Sequence, residues 1–346
     1  MTYAAITGWG MAVPDRVVTN RELAETVPGV DDDWITRRSG IHERRIVEES
    51  ETTASLATGA ARRALVCAGR VGTDVDLVVV ATCTPDRLIP GTAPVVQAAL
   101  GATGAGAFDV NAACAGFLTA LAAADAMVRA GSVRCAVVIG AEVLSRFVDR
   151  SDPKTSVLFA DGAGAVVLER SEAPAGLRSI ELGADGSGAS LIEIPAGGSA
   201  LPASAETVAA GGHSIRMNGP EVYRAAVRVM SAAAQRAAFG AGMHAAEADL
   251  LILHQANQRI IDDVAERLGM SPEQVFSNVA RYGNTSAASV PIALCEAAEA
   301  GRLHPGARLI LSVVGAGLTW AAGVVLWTGS RDVRSENLVH ATRGET

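Results

Sequence analysis

Residues 106–121 read GAFDVNAACAGFLTAL and place one cysteine, Cys114, between a strand and a helix. Residues 107–110 have strand character and look buried, residues 111–113 form a tight connection, and helix formers without proline run through residues 115–130. Cys114 is therefore expected at or next to a helix N terminus, where unsatisfied N–H groups and the helix dipole favour the thiolate. This makes it a candidate covalent nucleophile. The alternative from the residues alone is a packed core thiol, the more common fate of free cysteine.

The composition is typical of a mildly acidic, soluble α/β protein. The 346 residues are 49% hydrophobic and 19% charged, with 36 glycines. This excludes a disordered chain and suits a large core with many tight turns, in two domains or one duplicated domain. The formal net charge of −8 argues against a surface for nucleic acid or an anionic membrane, so neither is expected as a partner.

The cysteines predict a reducing, cytoplasmic setting. They are odd in number and lie far apart, without CxxC or Cys/His metal-binding spacing. We therefore expect no disulfide and no metal site. Residues 1–18 lack a basic segment followed by a continuous apolar core, so no secretory signal is expected.

One uncharged stretch, residues 309–330, is long enough to cross a bilayer. Gly315, Gly317 and Gly323 divide it into two β-branched runs. Two buried strands joined by a glycine loop are therefore the favoured interpretation, and a membrane span is the alternative.

The two halves of the chain contain similar stretches in the same order, which indicates an internal duplication. The paired stretches are 76–82 with 249–255, 98–110 with 266–278, 134–140 with 308–315, and 163–168 with 321–326. Both halves alternate strand and helix, which predicts two sheets with helices packed on them, an α/β fold.

Charge and proline accumulate at residues 169–175, which predicts the boundary between the halves. We expect an N-terminal half over residues 1–172, a C-terminal half over residues 173–332, and a tail over residues 333–346. Residues 183–212 are rich in Gly, Ala and Ser and are expected to form a loop or lid.

One histidine, His254, ends the strand that is equivalent to residues 77–82, and polar residues follow it. If the halves pack about a pseudo-dyad, equivalent strand ends converge, so Cys114 and the region around Asn284 should face each other near His254. A structural histidine with satisfied hydrogen bonds is the alternative from the residues alone.

Six motifs together carry a resemblance to the thiolase-fold condensing enzymes, specifically the β-ketoacyl-acyl-carrier-protein synthase III family. Six motifs in register over most of the chain are far more specific than any one of them. The resemblance implies a thiolase-like fold: two pseudo-symmetric halves, each with a mixed five-stranded sheet, layered αβαβα. The motifs are DDWITRRSGIHERRI at 32–46, NAACAGF at 111–117, FADGAGAVVL at 159–168, HQAN at 254–257, GNTSAASVP at 283–291 and GAGLTW at 315–320.

Differences from related enzymes exclude other families of the same fold. The glycine loop at residues 315–317 lacks the second cysteine of degradative thiolases, and Asn284 stands where elongating synthases have a second histidine. Chalcone-synthase-like enzymes share Cys-His-Asn but lack the stretch WITRRSGI. Chain-length partner subunits lose the cysteine, whereas Cys114 is present.

The resemblance implies a catalytic trio of Cys114, His254 and Asn284. Cys114 would take an acyl group from an acyl-CoA, with an oxyanion hole made by the backbone N–H groups of Cys114 and Gly317. His254 and Asn284 would hold the enolate that forms when malonyl-acyl-carrier protein loses carbon dioxide. The resemblance implies no metal and no redox cofactor, because the coenzyme A thioester is itself a substrate.

The resemblance also implies residues that bind the substrates. Trp34 and Arg38 match positions that hold the adenine and phosphates of coenzyme A, and Arg259 matches a basic residue for docking of the carrier protein. The family often has an arginine in the loop before residue 159. Here Lys154 or Arg150 is expected to substitute for it.

Two departures from the family concern the acyl pocket. Ile89 replaces an aromatic wall residue that the family contributes across a homodimer, and Leu318 replaces a phenylalanine. The homodimer interface is expected to include the strand that ends near Asn111. A smaller wall leaves more room for the acyl group, so fatty-acid and secondary-metabolism priming both remain open.

Two other functions also remain open. One is transfer of the acyl group from Cys114 to a hydroxyl or amine acceptor on the same fold. The other is a non-catalytic scaffold for the carrier protein, which the intact trio disfavours.

Overall fold

Two mixed five-stranded sheets form the framework of the chain, and helices pack between them and outside them. The computed structural model describes residues 1–329. The longer strands are β1 Tyr3–Ala12, β4 Leu77–Ala81, β5 Gly106–Val110, β6 Cys135–Val143, β7 Asp161–Ser171, β8 Gly176–Ala184, β11 Leu250–Leu253, β13 Arg308–Gly315 and β14 Thr319–Leu326. The short strands are β2 Val17–Thr19, β3 Glu43–Arg45, β9 Ile192–Glu193, β10 Arg216–Met217 and β12 Val275–Phe276.

The helices follow the strands in the alternation that the sequence predicts. Their bounds are α1 Asn20–Ala24, α2 Asp32–Ser39, α3 Thr53–Ala68, α4 Thr92–Ala99, α5 Gly116–Arg129, α6 Ala205–Ala209, α7 Gly219–Gly240, α8 Gln258–Leu268, α9 Val279–Tyr282 and α10 Ser289–Glu299.

The strand order confirms the predicted duplication. One sheet runs β1-β7-β6-β4-β5 and the other runs β8-β14-β13-β11-β12. In the first sheet β4 pairs in parallel with β5 and β6, and in the second β11 pairs in parallel with β12 and β13. Each pair of similar sequence stretches therefore occupies the same place in its own sheet.

The buried layers explain why several elements are apolar on more than one side. Helices α5 and α10 lie between the sheets and share one core with the inner faces of both. Helix α3 covers the outer face of the first sheet, and α7 and α8 cover the outer face of the second. The interior strand β4, LVVVA, is buried along its whole length, as expected for a parallel strand with helices on both faces. The layering is αβαβα, as the resemblance implies.

The uncharged stretch that begins at Leu309 forms two strands rather than a membrane span. Strands β13 and β14 pair antiparallel, from Arg308 opposite Leu326 to Gly315 opposite Thr319. In the part of the chain that the structure describes, no helix is both long and apolar enough to span a membrane.

The predicted boundary segment, residues 169–175, contains the turn between β7 and β8, where the chain passes from one sheet to the other. The division into residues 1–172 and 173–332 stays a prediction, and the predicted tail, residues 333–346, lies outside the described residues.

Strand β5, which leads to Cys114, is more exposed than the sequence suggests. It lies at the edge of its sheet, and Phe108 is 37% exposed. The expectation that residues 107–110 are buried was therefore wrong for the single chain, because strand order decides which strand lies at an edge. The charged residue in this strand, Asp109, accepts hydrogen bonds from the backbone N–H groups of Thr92 and Ala93, both at 2.6 Å, at the start of α4.

Candidate active site

A tight turn places Cys114 directly before helix α5. The side-chain oxygen of Asn111 accepts a hydrogen bond from the backbone N–H of Ala113 at 3.2 Å. Ala113 has a φ of 46°, a conformation that non-glycine residues seldom adopt. A short 3-10 turn, Ala113–Ala115, then leads into α5. The predicted position of Cys114 at a helix start is confirmed.

The charge state of Cys114 differs from the expectation. Burial raises the pKa of its thiol to about 12, and the nearby Glu142 carboxylate acts in the same direction. A hydrogen bond with the Ser286 side chain partly lowers this pKa. The thiol is therefore the dominant form at neutral pH. The backbone N–H at the helix start lowers this pKa in the predicted direction, but desolvation is the larger effect.

A second turn of the same shape carries Asn284. Its side-chain oxygen accepts a hydrogen bond from the backbone N–H of Ser286 at 2.9 Å, and Ser286 has a φ of 47°. The 3-10 turn Ser286–Ala288 then leads into α10. Because the carbonyl oxygen of the Asn284 amide is occupied, its NH₂ group is the part that can donate to a ligand.

His254 follows the end of strand β11 and is buried and neutral. Its Nδ1 lies 2.8 Å from the hydroxyl of Ser289, which also accepts a backbone N–H from Gln255 at 3.3 Å. This arrangement favours donation by the hydroxyl to Nδ1 and leaves the imidazole proton on Nε2. Burial lowers the pKa of His254 to about 4, so the ring is an uncharged N–H donor at neutral pH.

The glycine loop between β13 and β14 packs directly against the turn of Cys114. A Cβ atom on Gly315 would lie 2.7 Å from the backbone nitrogen of Cys114, so only glycine fits there. Gly317 has a φ of 134°, which also requires glycine. The Thr319 hydroxyl ties this loop to the turn by donating to the carbonyl oxygen of Ala112 at 2.8 Å.

One cavity of about 1410 Å³ brings most of the predicted residues together. Two of the predicted residues lie elsewhere in the chain: Ile89 is 87% exposed, and Arg150 lines a separate surface pocket with Arg16 and Arg146. The predicted residues that line the large cavity are Trp34, Arg38, Cys114, Lys154, His254, Arg259, Asn284, Gly317 and Leu318.

An aromatic and arginine pair lies among the residues that line this cavity. The guanidinium of Arg38 stacks 4.4 Å from the centre of the Trp34 ring, which presents a flat apolar surface beside a positive charge. Trp34 and Arg38 both lie in helix α2. The side chain of Asn257 holds this helix in place by donating a hydrogen bond to the carbonyl oxygen of Arg38 at 2.8 Å. Arg259 lies 5.3 Å from the ring centre of Tyr223. Each arginine is thus backed by an aromatic ring.

A buried carboxylate that the sequence did not predict lies near Cys114. Glu142 lies in strand β6 with 0% of its surface exposed, and burial raises the pKa of its carboxyl group. The hydroxyl of Thr84 donates to it at 2.6 Å and the hydroxyl of Ser286 at 3.1 Å. The available signal was a single acid within the apolar run CAVVIGAEV, residues 135–143. Within residues 1–329, no group of three or more His, Cys, Asp or Glu side chains is arranged to hold a metal ion.

Two family models match the chain. The model described as 3-Oxoacyl-[acyl-carrier-protein (ACP)] synthase III matches residues 108–186. The model described as 3-Oxoacyl-[acyl-carrier-protein (ACP)] synthase III C terminal matches residues 239–327. A Beta-ketoacyl-[acyl-carrier-protein] synthase III from Roseiflexus sp. is 48% identical over 94% of this chain and 99% of its own length. The enzyme of the same name from Symbiobacterium thermophilum is 49% identical over 93% and 97%.

Solved structures agree with these matches. The 3-oxoacyl-[acyl-carrier-protein] synthase III from Aquifex aeolicus is 42% identical, with a TM-score of 0.87 over 94% of this chain and 100% of that chain. A priming beta-ketosynthase from the R1128 polyketide biosynthetic pathway is 34% identical, with a TM-score of 0.88 over 94% and 96%. The layered fold and these matches define a condensing enzyme of the thiolase fold. The chain belongs to the β-ketoacyl-acyl-carrier-protein synthase III family.

Proposed function

We propose that this chain is an acyltransferase that primes chain synthesis. It loads an acyl group from acyl-CoA onto Cys114 and condenses it with malonyl-acyl-carrier protein to give a β-ketoacyl-carrier protein. The observation that carries this proposal is the convergence of the Cys114 thiol, the neutral His254 ring and the Asn284 amide on one large cavity.

Loading begins when the sulfur of Cys114 attacks the thioester carbonyl. Negative charge then develops on the carbonyl oxygen and needs donors that are already in place. We assign this role to the backbone N–H groups of Cys114 and Gly317. The packing of Gly315 against the turn supports the assignment, because it holds both backbone segments at one wall of the cavity. The tetrahedral intermediate collapses and releases CoA as its thiol.

Condensation needs two donors that do not change their protonation state. When the malonyl thioester loses carbon dioxide, the negative charge moves to its thioester oxygen. The Nε2–H of His254 and the NH₂ of Asn284 are both neutral donors, so they stabilise the enolate without protonating its carbon. That carbon then forms a bond to the acyl carbon on Cys114. The bond from the acyl carbon to the Cys114 sulfur breaks, and the sulfur leaves as a thiolate that takes up a proton from solvent.

Residues further along the cavity bind the two substrates. We assign Trp34, Arg38 and Lys154 to coenzyme A, because they combine a flat ring with positive charge. Arg259 is assigned to the acidic carrier protein, and Leu318 to the wall of the acyl pocket. The reaction uses the coenzyme A thioester as a substrate and needs no other cofactor. Within residues 1–329 the cysteines form no disulfide, which suits the proposed cytoplasmic location.

We propose that the chain acts as a homodimer. The edge strand β5 exposes Phe108, and the nearby loop exposes Leu88 and Ile89, which are 84% and 87% exposed. Exposed apolar patches, unlike single apolar side chains, mark contact surfaces. Ile89 would then reach the acyl pocket of the second copy. A monomer in sedimentation at micromolar concentration would contradict this role for Ile89.

The test of the function is one incubation with two readouts. Intact-mass spectrometry after mixing with an acyl-CoA should show an acyl adduct on Cys114. Addition of malonyl-acyl-carrier protein should then release carbon dioxide and remove the adduct. An adduct that moves to a hydroxyl or amine acceptor without release of carbon dioxide would instead support simple acyl transfer. A protein that forms no adduct would support the scaffold.

A further inference from the structure

Each half of the chain places a segment against the turn of the other half, but the two segments are tied to the turns in different ways. The segment before β7 is joined to the turn of Asn284 by backbone alone. The N–H of Ala160 donates to the carbonyl oxygen of Asn284 at 2.9 Å, and the N–H of Asn284 donates to the carbonyl oxygen of Leu158 at 2.8 Å. The equivalent segment before β14, residues 316–318, has no backbone hydrogen bond to the turn of Cys114 among those formed within residues 1–329.

A threonine hydroxyl makes the link to the turn of Cys114 instead. Thr319, the first residue of β14, donates to the carbonyl oxygen of Ala112 at 2.8 Å, across 207 residues of sequence. In the part of the chain that the structure describes, no other hydrogen bond joins residues 111–115 to residues 315–319. The same hydroxyl oxygen lies 3.1 Å from the carbonyl oxygen of Ala316. One hydroxyl therefore contacts both the turn and the glycine loop.

This link leaves two backbone donors available to a ligand. Among the backbone hydrogen bonds formed within the described residues, none uses the N–H of Cys114 or of Gly317. The carbonyl of Ala316 and the N–H of Gly317 belong to one trans peptide and point in opposite directions. A hydroxyl on the carbonyl side therefore fixes the direction of this N–H without covering it.

We propose that Thr319 is a positioning residue for the oxyanion hole. The inference rests on the proposed loading of an acyl group onto Cys114. When the sulfur attacks the thioester carbonyl, the oxygen that gains negative charge must lie within hydrogen-bond reach of both N–H groups. These groups stand on segments about 200 residues apart in sequence, and the Thr319 hydroxyl joins the segments. Loss of the hydroxyl lets the two donors move apart but leaves the Cys114 sulfur at the start of its helix.

The experiment compares two reactions of the same sulfur in the full chain. Acetyl-CoA forms an adduct through a tetrahedral oxyanion, whereas iodoacetamide alkylates the sulfur by a displacement that forms no oxyanion. Mass spectrometry of the peptide that contains Cys114 measures the rate of each reaction. Both reactions begin from the same sulfur, so the ratio of their rates cancels any change in the fraction of thiolate. Thr319→Val removes the hydroxyl with a side chain of similar shape that suits a strand.

The variant should lose acylation and keep alkylation. In Thr319→Val the maximal rate of acetyl-adduct formation should fall about tenfold, less than the roughly 10²–10³-fold typical of removal of a whole donor. The acetyl-CoA concentration that gives half of this rate should not change, since Trp34 and Arg38 are untouched. Alkylation should keep the parental rate, whereas a merely structural role would slow both reactions together. Thr319→Ser restores a hydroxyl and should recover most of the acylation rate.

Several outcomes would overturn the inference. One is an equal loss of acylation and alkylation in Thr319→Val, and another is acylation of this variant at the parental rate. A third is a Thr319→Ser variant that is acylated no faster than Thr319→Val. If Thr319→Val does not fold, Thr319→Ala compared with Thr319→Ser decides the same question.

The parent separates this inference from the proposed function. A parent that forms no acyl adduct with acetyl-CoA or with longer acyl-CoAs would defeat the proposed function and this inference together. A parent that forms the adduct, with Thr319→Val matching it, would overturn the role of Thr319 alone.

Discussion

The turn that carries Cys114 and the turn that carries Asn284 have the same backbone conformation, but they present different side chains to the cavity. In both, an asparagine oxygen accepts the backbone N–H two residues later, at 3.2 Å from Asn111 and 2.9 Å from Asn284. Both then place a non-glycine residue at positive φ and continue through a 3-10 turn into a helix between the sheets. The duplicated fold thus contains the same turn twice, with different side chains on it.

The difference between the turns assigns each half of the chain to one half of the reaction. In the first turn the residue after the positive φ is Cys114, and in the second it is Ala287. Asn284 is buried at the cavity, whereas its counterpart Asn111 is exposed. We infer that the first turn carries acyl loading and the second carries decarboxylation.

The largest effect is expected from replacing Cys114, the reactive residue of the first turn. Cys114→Ala should lose acyl loading by at least about 10³-fold, because no other group can take its place. Intact-mass spectrometry after incubation with an acyl-CoA measures the adduct. Cys83→Ala is the matched control, and it should still be acylated. An adduct on Cys114→Ala would show that the nucleophile is elsewhere.

A substitution in the second turn is expected to have a smaller effect, confined to the rate of decarboxylation. Asn284→Ala should release carbon dioxide from malonyl-acyl-carrier protein about 10²-fold more slowly, because one donor to the enolate is lost. Loading should continue, since the nucleophile and the backbone donors are unchanged. Equal rates of carbon dioxide release from the variant and the parent would contradict the division of labour.

The same substitution in the first turn should affect the other half-reaction. Asn111→Ala removes the hydrogen bond that fixes the backbone at Ala113. We expect loading to slow about tenfold through misplacement of Cys114, with a normal rate of decarboxylation. A stopped-flow measurement of CoA release provides the loading rate. Slower decarboxylation with normal loading would mean that the two turns are not independent.

The smallest expected effect is the response of decarboxylation to pH. Burial lowers the pKa of His254 to about 4, so the ring is neutral above that value and becomes charged as the pH falls through it. Carbon dioxide release should therefore be nearly constant from about pH 5 to about pH 8. A transition with a midpoint near the ordinary histidine value, about 6.5, would show that His254 is not held neutral.

Local sequence patterns predicted the features that depend on neighbours in the chain. The strand before Cys114, the helix after it and the two β-branched runs around Gly317 follow from periodicity and helix propensity. The duplication predicted that Cys114, His254 and Asn284 would converge. The motifs contain several of the residues that line the cavity, including Trp34.

The sequence could not predict what depends on packing between distant segments. Glu142 and Ser286 are 144 residues apart along the chain, so no local pattern connects them to Cys114. The raised pKa of the Cys114 thiol results from burial, which only the assembled cavity creates. The exposure of Phe108 follows from strand order, which alternation within a strand does not encode.

A rapid-quench experiment on Asn284→Ala tests the division of labour most directly. The variant is mixed with acyl-CoA and malonyl-acyl-carrier protein, and the Cys114 adduct and the released carbon dioxide are measured in the same samples. We predict an adduct that forms at the parental rate and then persists, with release of carbon dioxide slowed about 10²-fold. An adduct that fails to form, or that disappears as fast as in the parent, would contradict the assignment of one half-reaction to each turn.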